Sequence, residues 1–216
     1  MKMIEKSTII PIMSGRRFSS QFITDKIKRR IYRRGRGSVF TAHDFADIGG
    51  RASVDLVLAR LARHGTIQRI ARGLYLYPRL NSDGVMAGPS VEAIASALAS
   101  AGRLRLQPSG AYAANLLGLS EQVPMRAVFL TDGSSRRVIA GSREIVLKRT
   151  TPRNMSAAGR LGGLVIQALR YVGEDRVDEQ LLRRLRTAVP REKRPEVLKD
   201  SLAAPAWIRA LLHKAF

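Results

Sequence analysis

Residues 39–78 read VFTAHDFADIGGRASVDLVLARLARHGTIQRIARGLYLYP, and the order of patterns within them decides the fold. Val39-Phe40 suits a short strand. Thr41 is placed to cap a helix over Ala42 to Ile48, and Gly49-Gly50 makes a tight turn after it. A second helix follows from Arg51 to His64, with Gly65 as its C-cap. Within it Val54, Val57, Leu58 and Leu61 fall at i, i+3, i+4 and i+7, which defines one buried face. Ser53, Asp55, Arg60 and Arg63 belong to the other face. Ile67 to Ala71 and Leu74 to Tyr77 read as two strands joined around Arg72-Gly73, although their period-two alternation is untidy. Helix, glycine turn, helix and hairpin is the order of a winged helix-turn-helix.

The flanking sequence adds a basic helix before this unit and a mixed region after it. From Ser19 to Arg34 the isoleucines 23, 27 and 31 make one apolar stripe on a strongly basic helix, which Gly35-Arg36-Gly37 ends. Beyond residue 80 helices are expected over Ser90–Ala101 and Ser109–Leu117. Strands are expected over Ala127–Thr131, Arg137–Ala140 and Glu144–Arg149. Four helices then cover about Arg160–Val172, Asp175–Val189, Arg194–Ala203 and Ala206–Ala215. The fold class is α+β: an N-terminal winged helix-turn-helix, then a mixed C-terminal domain ending in helices. The turn formers between Pro78 and Gly84 place the boundary, giving domains 1–80 and 81–216.

Charge narrows the function. The 216 residues carry 38 Lys and Arg against 17 Asp and Glu, a formal net charge of +21. Residues 1–80 hold 17 basic and 5 acidic side chains, so the excess is densest around the expected helix-turn-helix. Such an excess repels itself in a compact chain and points to a polyanionic partner. There is no cysteine, which excludes disulfides, thiolate zinc sites and cysteine nucleophiles. The N-terminal MKMIEKSTIIPIM carries Glu5 and Pro11 and reads as no signal peptide, and no apolar run approaches the length of a membrane span. A soluble, cytoplasmic protein is expected. The basic helix near Ile27 offers too little apolar area for a membrane surface.

One α-helix fills the major groove of B-DNA, and its first residues reach the base edges. Arg51 and Ser53 are therefore expected nearest the bases, with Thr41, Arg60 and Arg63 on the same unit. Arg69 and Arg72 lie on the wing, and Arg29, Arg30, Arg33, Arg34 and Arg36 are placed for phosphates.

At this point two stretches resemble a known family. SVFTAHDFADIGGRASVDLVLARLARHGTIQRIARGLYLYP is similar to the N-terminal domain of AbiEi-family antitoxins of type IV toxin–antitoxin systems. QPSGAYAANLLGLSEQVPMRAVFLTDGSSRRVIAGSREIVLKRTTPRN resembles the C-terminal domain of the same family's regulator-like members. The resemblance implies a winged helix on double-stranded DNA, at inverted repeats in its own promoter, repressing the operon. It also implies a cognate toxin of nucleotidyltransferase type, opposed with or without direct contact. Arg51 to Arg63, Arg69 and Arg72 match the DNA-binding element. Arg136, Arg137, Lys148, Arg149 and Arg153 match a basic stretch that serves DNA or the antitoxin function.

No enzyme and no cofactor are expected. Gly35-Arg36-Gly37-Ser38 lacks the Lys-Ser or Lys-Thr of a phosphate loop, and Gly162-Gly163 suits close helix packing instead. His43, His64 and His213 have no ligand-like spacing, so no metal site is expected. Glu174, Asp175, Asp178 and Glu179 are interleaved with arginines and read as an ion-paired helix face. Aromatics make up 6%, which weighs against base-stacking on single strands or RNA. The rival reading is a protein-interaction module whose winged helix binds the toxin or another protein.

Overall fold

The computed structural model describes residues 15–216, so the reading of the N-terminal segment lies outside the described residues. Helix α1 (Gly15–Arg34) and helix α2 (Arg51–Arg63) cover one face of a three-stranded antiparallel sheet. Its strands are β1 (Val39–Phe40), β2 (Gln68–Ala71) and β3 (Leu74–Leu76), in the order β1-β3-β2. The isoleucine stripe does what its spacing demands. Ile27 and Ile31 are fully buried against Phe40, Phe45, Val57, Leu58 and Leu61.

The helix expected over Ala42 to Ile48 is instead a 3-10 turn over Ala42–Phe45. Its bonds run i to i+3, from Asp44 N–H to the Thr41 carbonyl and onward to Ile48 N–H on Phe45. Ala42, Phe45 and Ile48 sit three apart, the spacing that a threefold repeat aligns on one side.

The untidy alternation of the hairpin has a physical cause. Tyr75 and Phe40 enter the core under α1 and α2, whereas Val39, Leu74 and Leu76 enter a second core behind the sheet. A sheet buried on both faces reads as a continuous apolar run. The second core belongs to helix α3 (Val91–Gly102) and to a mixed sheet after it. Packing therefore runs across residue 80.

Between the two sheets lies a small hairpin of β4 (Arg79–Leu80) and β5 (Met86–Ala87), within the stretch read as turn formers. The second sheet contains β6 (Leu106–Ser109), β7 (Arg126–Thr131), β8 (Arg136–Ala140) and β9 (Arg143–Arg149) in the order β6-β7-β9-β8. β7 and β9 are parallel, and the outer pairs are antiparallel. β6 escaped the sequence reading because Pro108 lies within it; proline is tolerated there since β6 is an edge strand.

Helix α4 (Gly110–Leu116) leads into a third core of helices. These are α5 (Leu161–Val172), α6 (Glu179–Ala188), α7 (Arg194–Asp200) and α8 (Ala206–Ala215). The helix expected from Asp175 is divided: a 3-10 turn over Glu174–Arg176 precedes α6, and the Asp178 carboxylate accepts from Leu181 N–H at 2.7 Å to cap it. α7 ends at Asp200 and passes into a 3-10 turn over Ser201–Ala203. The molecule is a mixed α+β protein with an N-terminal helical region and a helical C-terminus. Among the described residues, no helix is long and apolar enough to cross a membrane.

Candidate nucleic-acid interface

The arginines of α1 divide by helix face. Arg30 and Arg34, four apart, turn toward the segment between β1 and α2. Arg30 donates to both Asp47 carboxylate oxygens at 2.5 and 2.7 Å and to the Asp44 carbonyl at 2.9 Å. Arg34 donates to the Asp44 carboxylate at 2.7 Å and lies over the Phe45 ring. These two arginines clamp α1 onto the 3-10 turn, so their cost on removal falls on stability first. Arg29 and Arg33 are exposed about a quarter-turn round the helix from that pair.

The Arg30 hydrogen bonds, more than any other influence, lower the Asp47 pKa to about 2. An unfolded aspartate titrates near 3.9. The stabilisation is therefore complete above about pH 4 and is lost as pH falls toward 2. Asp132, held by Arg105, and Glu92, held by the Tyr112 hydroxyl, are lowered as well and add to the same acid limb. Thermal melts from pH 5 to 2 will show the wild-type advantage over Asp47→Asn shrinking as pH drops. An advantage that stays constant through that window contradicts the clamp.

Thr41 is 8% exposed, and its hydroxyl and backbone N–H both donate to the Asp44 carboxylate at 3.0 and 2.7 Å. It caps the turn, and it also borders the cleft that Arg51 lines. Arg36 is diverted: it donates to the Pro78 carbonyl at 3.1 Å and stacks over Tyr77, at the end of β3 away from the hairpin tip.

The fold brings Thr41 together with arginines from three other elements. The first turn of α2, the hairpin tip and the start of β8 border one cleft of about 270 Å³, where Arg51, Arg72 and Arg136 meet His43. Gly73 supplies the positive φ (+74°) that turns the hairpin at Arg72. β8 is placed by the edge of the first sheet, where Gly141 N–H donates to the Ile70 carbonyl at 3.3 Å. Among the described residues, none that borders the cleft is acidic. Arg51 donates to Asp55 at 2.8 Å, but both are exposed, and such a pair is worth about 0.2–1 kcal/mol, little enough to exchange for a phosphate.

Ser53, Arg60 and Arg63 are exposed along α2. At 1.5 Å per residue, Arg60 and Arg63 lie about 14 and 18 Å along the axis from Arg51. Arg69 is exposed on β2 opposite Tyr75. Of the C-terminal arginines, Arg137 is paired with Glu144 at 2.9 Å, and Arg153 donates to the Ala203 carbonyl at 3.1 Å, far along the chain from the cleft. Lys148 and Arg149 are exposed at the end of β9, next to Leu147, the residue opposite Arg136.

Two residues escaped the sequence reading. His43 drew notice in the sequence only for lacking ligand-like spacing, and the fold places it on the same cleft as Arg51. Leu56 is 58% exposed in the middle of the outer face of α2, between Ala52 and Ala59. Its signal was available, because it lies off the buried i, i+3, i+4, i+7 stripe.

The fold thus defines a mixed α+β protein with a cationic cleft where its first helical unit meets the second sheet. Residues 26–197 match DUF6088, a family of unknown function, and the chain belongs to that family. Among solved structures it is similar to the crystal structure of RV2827C protein from Mycobacterium tuberculosis. That likeness has 15% identity and a TM-score of 0.41, covering 91% of this chain and 81% of that one. No curated protein matches the sequence.

Proposed function

We propose that the protein is a DNA-binding regulator whose first unit acts as a winged helix, with the start of α2 in the major groove and Arg72 at the adjoining backbone. The observation that carries this reading is the convergence of Arg51, Arg72 and Arg136 on one cleft that, among the described residues, no carboxylate borders. Three arginines that border one cleft from separate elements make it favourable for an anion. Arg136 makes the second sheet part of the grip. Ser53 and Leu56 are the groups nearest base edges, Leu56 suiting the methyl of thymine. Arg29, Arg33, Arg60, Arg63 and Arg69 supply the outer, salt-sensitive contacts.

The resemblance of residues 38–78 and 107–154 to AbiEi antitoxins extends the proposal. The duplex is the chain's own promoter, and the protein counteracts a nucleotidyltransferase-type toxin in the cytoplasm without itself being an enzyme. A gel-shift titration against the DNA upstream of the gene, with scrambled competitor, tests the first part. Specific retention should weaken by about 10³–10⁵ between 50 and 200 mM salt if six to ten phosphates are held. Equal retention of scrambled DNA, or none, contradicts it. Co-expression with the neighbouring reading frame tests the second, through relief of growth arrest.

The exposed Leu56 between two alanines also favours a second reading, in which this face of α2 binds a protein. On that reading Leu56→Ser abolishes capture of the co-expressed partner and leaves DNA retention unchanged.

A further inference from the structure

A second arginine-lined cleft opens at the other end of β3 from the hairpin tip. It has a volume of about 410 Å³ and brings Arg36 and Arg79, from the first 80 residues, together with Arg143 at the start of β9. Asn81, Gly88 and Ser90 complete its polar walls. Among the described residues, no acidic side chain borders it. The Glu92 carboxylate feels Arg143 but is already engaged by the hydroxyls of Tyr112 and Ser90.

We propose that this cleft is a binding site for a small ligand carrying a diphosphate group. Three guanidinium groups without an acid of their own match the charge of a diphosphate, and guanidinium forks match its paired oxygens. Arg36 is preoriented: its bond to the Pro78 carbonyl and its stacking over Tyr77 fix the side chain before any ligand arrives. That lowers the entropy lost on binding. The volume falls within the range of small-molecule sites, about 300–1,000 Å³. The walls come from both sides of residue 80, so a bound diphosphate also braces the junction between the two sheets and raises the melting temperature by linkage. The proposal stands apart from the DNA reading, since its cleft and that of Arg51 share no residue.

The probe is inorganic pyrophosphate, titrated calorimetrically and by thermal shift at fixed ionic strength. The proteins compared are wild type, Arg79→Ala, Arg143→Ala and Arg143→Lys, with Arg60→Ala as the charge-matched control. Arg79, Arg143 and Arg60 are all exposed, and melts without ligand verify that each variant folds. Saturable binding should weaken about tenfold or more in each alanine variant, recover in part in Arg143→Lys, and change less than about twofold in Arg60→Ala. Absence of saturation, or equal loss in Arg60→Ala, overturns the site as mere attraction to a basic surface. If Arg79→Ala and Arg143→Ala weaken duplex binding but leave pyrophosphate untouched, the cleft takes backbone phosphates of DNA and the proposal falls.

Discussion

Replacing Arg51, Arg72 and Arg136 together by alanine should lower affinity for the specific duplex by about 10²–10³-fold at 0.1 M salt, with the fold intact. Each phosphate contact contributes about 0.9 to the slope of log K against log salt, so three contacts account for about 2.7. Between 50 and 200 mM salt the wild type should therefore lose about 40-fold more affinity than the variant. The fold is spared because all three side chains are exposed, and the hydrogen bond that Arg51 makes goes to the exposed Asp55 side chain. Filter binding at four salt concentrations reads both quantities. An unchanged slope would mean that the three arginines do not hold phosphates. A matching variant at Arg30 and Arg34 separates grip from scaffold: it should depress the melting temperature more than the salt slope, because those arginines are bound to Asp44 and Asp47.

The contrast between those two sets also marks what the sequence could and could not reveal. Period and punctuation were sufficient for α1, α2 and the hairpin, since Ile27, Ile31, Val54, Leu58 and Leu61 repeat at helical spacing and glycines close each element. The direction of an arginine along α1 is fixed by the same period, yet its role depends on whether a carboxylate waits on that face. Asp44 and Asp47 are 14 and 17 residues from Arg30, and nothing local announces that they will face it. Arg136 is the stronger case. It lies more than sixty residues beyond Arg72 and reaches the same cleft only because β8 is the edge strand set against β2. Cationic residues are legible as a class, whereas the sorting into clamp, grip and second cleft is a property of the tertiary fold. The same holds for Val39, Leu74 and Leu76, whose burial blurred the strand pattern until a second core behind the sheet accounted for them.

The largest effect on stability should come from one hydrogen atom changed to a methyl, at Gly163. In an isolated helix, alanine for glycine is favourable by about 1 kcal/mol. Here a Cβ would overlap the Ala157 carbonyl oxygen and lie 2.5 Å from the Gln107 Oε1. The carbonyl is backbone and cannot rotate away. Gln107 is also held, being 1% exposed with its Oε1 accepting from Gly159 N–H at 3.2 Å. Relief requires α5 to move off the 157–159 turn, opening the third core against which Val165, Ala168 and Leu169 are packed. Overpacking of that kind outweighs the propensity gain, for a net loss of about 2–4 kcal/mol. In a chain of this size that is a drop of about 4–16 °C in melting temperature. Gln107→Ala added to Gly163→Ala should not restore stability, since the backbone overlap persists. Gly162→Ala should fall in the same direction by another route, its Cβ meeting Asp200 at 2.5 Å and pressing on the ion pair with Arg160. A Gly163→Ala protein that melts at or above the wild-type temperature would show that α5 does not approach the turn this closely. The cleft at Arg51 is built from elements outside this core, so the folded fraction of the variant should bind duplex DNA with wild-type affinity.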